Sequence, residues 1–219
     1  DSNVAVGYKA LYTLEPADNG GQNVAVGTFA MHDATTGHTN VAVGHTAFSG
    51  ATTGERNVVV GHEAAKTANT MNYSTVIGNN AGTMLSGSES VVIIGRNAGY
   101  YVSGSYNTFV GTNASLGAAT LTHAGRDSVA LGYNAMYYNS TASYNVALGS
   151  QAFQGAATGF SGDNNVAVGR QAGYSATTAV SNVLVGAGAG YGITTAQKSV
   201  VIGNNAGYAM AGQGGSVII

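Results

Sequence analysis

The chain has 219 residues, 34 of them Gly and none Cys or Trp, and only 16 are charged (7 Lys plus Arg, 9 Asp plus Glu) for a net charge of −2. An ordinary soluble domain carries about 25% charged residues, yet 44% hydrophobic content with so little net charge excludes a disordered chain. The composition also excludes disulfides and thiolate chemistry, a basic stripe for nucleic acid, and a membrane-inserted helix, since the longest aliphatic run, Val91–Ile94, is far short of ~18 residues.

One unit organises everything that follows: Asn or Ser, three apolar residues, Gly, two variable residues, Ala. It begins as Asn3-Val4-Ala5-Val6-Gly7-Tyr8-Lys9-Ala10 and recurs as Asn40-Val41-Ala42-Val43-Gly44-His45-Thr46-Ala47 and Asn165-Val166-Ala167-Val168-Gly169-Arg170-Gln171-Ala172. Its Gly falls at Gly7, Gly27, Gly44, Gly61, Gly78, Gly95, Gly111, Gly132, Gly149, Gly169, Gly186 and Gly203, in steps of 20, 17, 17, 17, 17, 16, 21, 17, 20, 17 and 17 residues. A thirteenth unit starts at Ser216-Val217-Ile218-Ile219.

A period of 17 is too short for a helical pair. Val/Ile-rich triplets bounded by Asn and Gly are strand chemistry. Each period therefore predicts one coil of a β-solenoid, with two short strands and two turns. The Gly supplies backbone freedom at one turn, and the Asn or Ser bonds its own backbone at the other. The second strand is expected to carry the column Leu14, Ala34, Ala51, Ala68, Leu85, Val102, Ala118, Ile193 and Met210, interrupted by Asn139. Twelve to thirteen coils about 4.8 Å apart predict a rod of roughly 60 Å.

Within the triplet, the first and third residues point one way and the middle residue the other. The flanking residues are Val, Ile or Leu with the exceptions Thr75 and Thr108, and the middle column, Ala5 through Phe109 to Ile218, is apolar throughout. Strands apolar on both faces are buried on both faces, and an exposed column of this length would exceed what monomers tolerate. The chain is therefore expected to be an oligomer packed along the coil axis. The sequence leaves open which column faces the partner. The Ala three residues after the Gly, from Ala10 to Ala206, predicts a close backbone approach.

The repeated Asn-Val-Ala-Val-Gly-x-x-Ala resembles the head repeat of trimeric autotransporter adhesins. With segments such as Asn107-Thr108-Phe109-Val110-Gly111-Thr112-Asn113-Ala114, it is also similar to repeats of bacteriophage tail fibres. The resemblance covers the whole chain. It implies a left-handed parallel β-roll, all-β, assembled as a side-by-side homotrimer, and an extracellular location on a virion tail fibre or a bacterial cell surface. It departs from the adhesin pattern in its period, 17 residues rather than nearer 14, and no neck, stalk, anchor or chaperone domain is present. Residues 1–219 are expected to be a single repeat array cut from a longer chain at both ends, since neither end carries a polar cap.

Chemistry has little foothold. Val183-Leu184-Val185-Gly186-Ala187-Gly188-Ala189-Gly190 imitates a dinucleotide fingerprint but lacks the helix and the acidic residue that the motif needs. There is no paired-carboxylate spacing and no Ser/His/Asp set; acids such as Glu15, Asp18, Asp33, Asp127 and Asp163 fall in turns. Neither catalysis nor a cofactor is expected. His45 and His62 share a column in adjacent coils about 5 Å apart, which makes them candidate Zn or Ni ligands against the simpler reading of a solvated pair. Thr36, Thr53, Thr70, Thr120, Thr141, Thr158, Thr178 and Thr195 form a column nine residues after the Gly, which admits an ice-binding face beside ordinary turn chemistry. Asn80, Asn97, Asn113, Asn134, Gln151, Gln171 and Asn205 form an amide column that reads as structural.

Thirteen Tyr remain. Tyr12, Tyr100, Tyr137, Tyr174, Tyr191 and Tyr208 lie five residues after the Gly, with Tyr101 and Tyr138 beside them. Exposed Tyr suits sugar rings, so Tyr100, Tyr101, Tyr137, Tyr138, Tyr174, Tyr191 and Tyr208 are the candidate ligand-binding residues, together with the enlarged loops 11–22, 115–127 and 153–164. The function expected is structural and adhesive: a fibre segment presenting a site for a host cell-surface glycan or protein. The adhesin head and the ice-binding solenoid stand as alternatives.

Overall fold

The computed structural model describes residues 2–14, 21–117 and 124–219. Every triplet forms a strand: β1 Val4–Val6, β2 Val24–Val26, β3 Val41–Val43, β4 Val58–Val60, β5 Thr75–Ile77, β6 Val92–Ile94, β7 Thr108–Val110, β8 Val129–Leu131, β9 Val146–Leu148, β10 Val166–Val168, β11 Val183–Val185, β12 Val200–Ile202 and β13 Val217–Ile218. The protein is an all-β parallel solenoid of about twelve turns with the 17-residue period, and no helix occurs among the described residues. It divides into two compact units, Asp1–Tyr106 and Asn107–Ile219. In the first, β1 to β6 pair in chain order; in the second, β7 to β13 do the same. Like sits on like, as in Val24↔Val41, Ala25↔Ala42 and Val166↔Val183.

The strands stop after three residues because the Gly that follows turns the chain. The motif Gly have φ between 127° and 139°, a region that side chains avoid. A Cβ on Gly78 would also sit 2.5 Å from the carbonyl oxygen of Gly95 in the next coil. Two further turns follow in every coil, made by left-handed residues of many types. Thr46 (φ 50°), Phe48 (φ 52°) and Arg56 (φ 56°) mark them in the coil of Gly44. Single left-handed residues of this kind cost free energy, and stacking repeats them in register.

That geometry corrects the expected second strand. Ala34, Ala51, Ala68, Leu85, Val102, Asn139, Ile193 and Met210 are buried and Leu14 is half-buried, but none lies in a strand; Ala118 is outside the described residues. A left-handed residue three positions earlier, Met31 (φ 48°) or Ala65 (φ 47°) for instance, leaves too short an extended run for a ladder. The backbone bonds the next coil regardless, as in Gly50 N–H to the Lys66 carbonyl at 2.8 Å. Among the described residues, pairing outside the strands is limited to isolated bridges such as His38↔Glu55 and Val180↔Gln197.

The direction of the triplet is now fixed. The middle column from Ala25 to Val201 faces inward and is buried. The flanking Val, Ile and Leu face outward and are half-buried or exposed, for example Val58 (41%), Leu131 (47%) and Ile202 (39%).

The interior has a complementarity in size. In most coils where the strand contributes Ala, the fourth residue after the Gly is large: Ala25 with Met31, Ala42 with Phe48, Ala130 with Met136, Ala147 with Phe153, all buried; Ala167 with Gly173 is the exception, and there Phe153 and Leu184 of the neighbouring coils take up the space. Where the strand contributes a larger residue, that position is small: Val76 with Gly82, Ile93 with Gly99, Leu184 with Gly190. A Cβ on Gly99 would come within 2.8 Å of Ile93 Cδ1. Close packing of interiors requires this balance. At the turns before β2, β3, β4, β9, β10 and β11, buried Asn side chains link coils. Asn40 Nδ2 donates to Asn23 Oδ1 (3.1 Å) and to the Gly54 carbonyl (2.7 Å), and Asn40 Oδ1 accepts from Asn57 Nδ2 (2.9 Å). Asn145, Asn165 and Asn182 repeat the pattern in the second unit. Full satisfaction of these buried amides avoids a cost of about 1–3 kcal/mol each.

Candidate functional site

Exposed side chains are positioned by the left-handed turns, which present the same two or three columns in coil after coil. In the second unit, Tyr174, Tyr191 and Tyr208 form a ladder. Ring centroids are 4.8 Å apart for Tyr174–Tyr191 and 4.7 Å for Tyr191–Tyr208, with interplanar angles of 2° and 8°. Backbone bonds set the spacing: Ser175 N–H donates to the Tyr191 carbonyl (3.0 Å) and Gly192 N–H to the Tyr208 carbonyl (2.9 Å). Tyr191 thus has a ring stacked on each face. Tyr174 and Tyr191 are half-buried and Tyr208 is 49% exposed. Burial pushes the Tyr191 phenol above its ordinary value, and its neighbours Tyr174 and Tyr208 add to the shift.

The other candidate tyrosines make separate pairs. Tyr137 and Tyr138 meet at 4.6 Å and 80°, and Tyr100 and Tyr101 at 4.6 Å and 58°. Burial raises the Tyr137 phenol, with Tyr138 and Tyr133 contributing. Beside the Tyr column runs the amide column. Gln171 Nε2 donates to Gln151 Oε1 (3.0 Å), and Asn113 Nδ2 to Asn134 Oδ1 (3.1 Å). Its members occupy left-handed positions, such as Asn80 and Asn205 at φ 55°, which Asn tolerates well. The amides therefore serve the turn as well as the ladder.

His45 and His62 stack as their spacing predicts, with centroids 5.2 Å apart and an 11° angle. Glu63 turns onto Lys66 (2.9 Å), whose hydrogen bond holds its carboxyl below the usual range. Among the described residues no group of three potential metal ligands occurs. The stack instead belongs to an aromatic cluster that sequence reasoning missed. Phe29 lies 6.5 Å from His45, 5.4 Å from His32 and 5.5 Å from Tyr8; Tyr12 stacks on His32 at 5.3 Å; and Lys9 Nζ lies 4.7 Å from the Tyr12 ring centre.

A polar corner was also missed. His38 Nε2 lies 2.9 Å from Glu55 Oε2, Arg56 Nη1 donates to Tyr73 Oη (2.6 Å), and Tyr73 Oη donates to Glu55 Oε1 (3.0 Å). The signal for it was present as two columns, eleven and twelve residues after the Gly.

Of the Thr column, Thr53, Thr70, Thr141, Thr158, Thr178 and Thr195 are exposed and Thr36 is half-buried; Thr120 lies outside the described residues. The neighbouring Thr35, Thr52 and Thr177 spend their hydroxyls on carbonyls of the next coil. Of the three enlarged loops, 153–164 is fully described: Phe160 folds inward and stacks on Phe153 at 5.2 Å. Residues 15–20 and 118–123, which include Glu15, Asp18 and His123, are outside the described residues. No helix among the described residues is long and apolar enough to cross a membrane. The chain matches no family model and no curated protein.

Proposed function

We propose that the chain is a structural and adhesive segment of a trimeric extracellular fibre, a phage tail fibre that extends or presents a site for a host-surface glycan or protein. One observation carries this reading: the outward Val, Ile and Leu columns on every strand, half-buried or exposed. An apolar stripe repeated coil after coil is larger than a soluble monomer ordinarily leaves in water. Packing three copies around a common axis covers it, as the resemblance to trimeric fibres implies. The interior supports the mechanical part, since satisfied Asn ladders and paired large and small residues resist opening between coils.

Light scattering on the purified chain tests the reading. A trimer is expected, and Val41→Lys with Val43→Lys should dissociate it. The head of a bacterial trimeric autotransporter adhesin is the second reading, favoured by Asn-Val-Ala-Val-Gly at 3–7, 40–44 and 165–169. The complete reading frame separates the two: a C-terminal membrane anchor supports the adhesin, a chaperone domain the tail fibre. The exposed Thr column favours the third reading, ice binding. Absence of thermal hysteresis at high protein concentration would remove it.

A further inference from the structure

We propose that Thr75 and Thr108 set the height at which copies of this chain align side by side, because their outward hydroxyls must lie level with the same hydroxyls of the other copies. The proposal rests on the trimeric reading above and deepens it by naming what fixes the alignment.

The first argument is the sameness of the face. The first outward position of the strand is Val in β1–β4, in β6 and in β8–β13, and Thr in β5 and β7. No strand carries a charge. Over the twelve complete strands the two outward positions present on the order of 1,000 Å², above the about 800 Å² per partner of a stable interface. An apolar, uncharged face of that size suits a second copy of itself. Like lies on like from coil to coil, so Val58, Thr75 and Val92 are successive rungs, as are Thr108 and Val129. Rungs recur about every 4.8 Å. Two all-Val columns that slide by one coil therefore meet Val with Val again, and a face of one residue type specifies its pairing poorly. The third position varies only among Val, Ile and Leu, differences that apolar contacts absorb by repacking.

The second argument is the hydroxyl. Thr matches Val in branching and in preference for strands, so neither shape nor propensity separates the two marks from their neighbours. Elsewhere Thr35, Thr52 and Thr177 give their hydroxyls to carbonyls of the next coil. Among the described residues no protein group hydrogen-bonds the hydroxyl of Thr75 or Thr108, and both residues are already half-buried. Covering them with another copy takes the hydroxyls out of water, where each needs a partner. In the aligned assembly three hydroxyls share one level. Each can donate and accept, directly or through a shared water. After a slip of one coil, Thr75 lies level with Val58 or Val92 of the other copies and its hydroxyl stays unpaired. A single polar residue in the apolar seam of a coiled coil fixes alignment by the same penalty. Each compact unit holds one such mark, Thr75 in the first and Thr108 in the second.

The test moves the marks. One chain carries Thr75→Val with Val58→Thr and Thr108→Val with Val129→Thr, which shifts the two hydroxyls by one coil in opposite directions, so that no slip realigns both with the wild type. Native mass spectrometry then reads the composition of trimers after isotopically labelled wild-type chain is refolded with this variant. The variant alone should form a trimer with an unchanged melting temperature. Labelled and unlabelled wild type should mix statistically, whereas mixed trimers of wild type and variant should fall at least fivefold below the statistical share. Should the fourfold variant fail to fold, Thr108→Val with Val129→Thr alone makes the same comparison. Statistical mixing of wild type with a folded, trimeric variant would overturn the proposal and leave the trimeric reading standing, as would a folded variant that no longer trimerises while the wild type does. Folded monomers in every sample would remove the trimeric reading itself, and this proposal with it.

Discussion

The two units share one backbone and differ in what they display. The first, to residue 106, holds four Lys or Arg, seven Asp or Glu and four of the five His; the second holds three, two and one. At the same turn positions the first presents Glu63 with Lys66, and the second presents Gln171 with Tyr174. The comparison teaches that the coil fixes backbone conformation, not exposed chemistry. A left-handed turn accepts Lys, Thr, Glu, Asn or Gln, so the outward columns vary while the motif Gly and the Ala three residues after it persist.

If the units share their scaffold, the same lesion must cost the same in each. Gly78→Val and Gly186→Val each force a side chain into a glycine-only conformation against the next coil. Each should destabilise by about 3 kcal/mol or more in denaturant unfolding. A large disparity would break the equivalence. Leu184→Ala should cost about 2–4 kcal/mol. Adding Gly190→Met, which recreates the Ala–Met pairing of Ala130 and Met136, should restore part of that loss. Failure to restore any would refute the size complementarity. Asn40→Ala and Asn165→Ala leave buried partners unpaired and should each cost about 1–3 kcal/mol.

The display surfaces should separate under pH. The Tyr191 phenol is raised, so its neutral form stabilises the ladder. That contribution is intact below the ordinary phenol value and is lost as pH rises through the raised one. Alkaline titration should show late tyrosinate absorbance that Tyr191→Phe reduces and that the raised Tyr137 phenol keeps from vanishing. The Glu63 carboxyl is lowered by Lys66, so its contribution is present above the ordinary carboxylate value and fades as pH falls through the lowered one. This partly exposed pair should be worth under about 1 kcal/mol. Glu63→Gln should flatten the acid side of the stability curve slightly and leave the alkaline side unchanged.

The scaffold was largely legible in the sequence, because Gly and Asn are tied to particular backbone needs and recur at a fixed period. The stacks of His45 on His62 and of the Tyr column followed from the same period. Which face of the triplet turns inward was not legible, since both Ala25 and its neighbours Val24 and Val26 are apolar. The second strand was misread because Ala51 and Leu85 are buried and apolar, and burial does not require a strand. The left-handed Phe48 and Ala65 gave no warning, being residues that seldom adopt that conformation. The aromatic cluster around Phe29 and the corner around Glu55 depend on side-chain directions that spacing alone leaves undetermined.

We propose that other copies of the chain cover the outward apolar columns. Light scattering coupled to size-exclusion chromatography tests this directly. A species of three times the chain mass, lost on Val41→Lys with Val43→Lys, is the predicted result. A folded, stable monomer would contradict it.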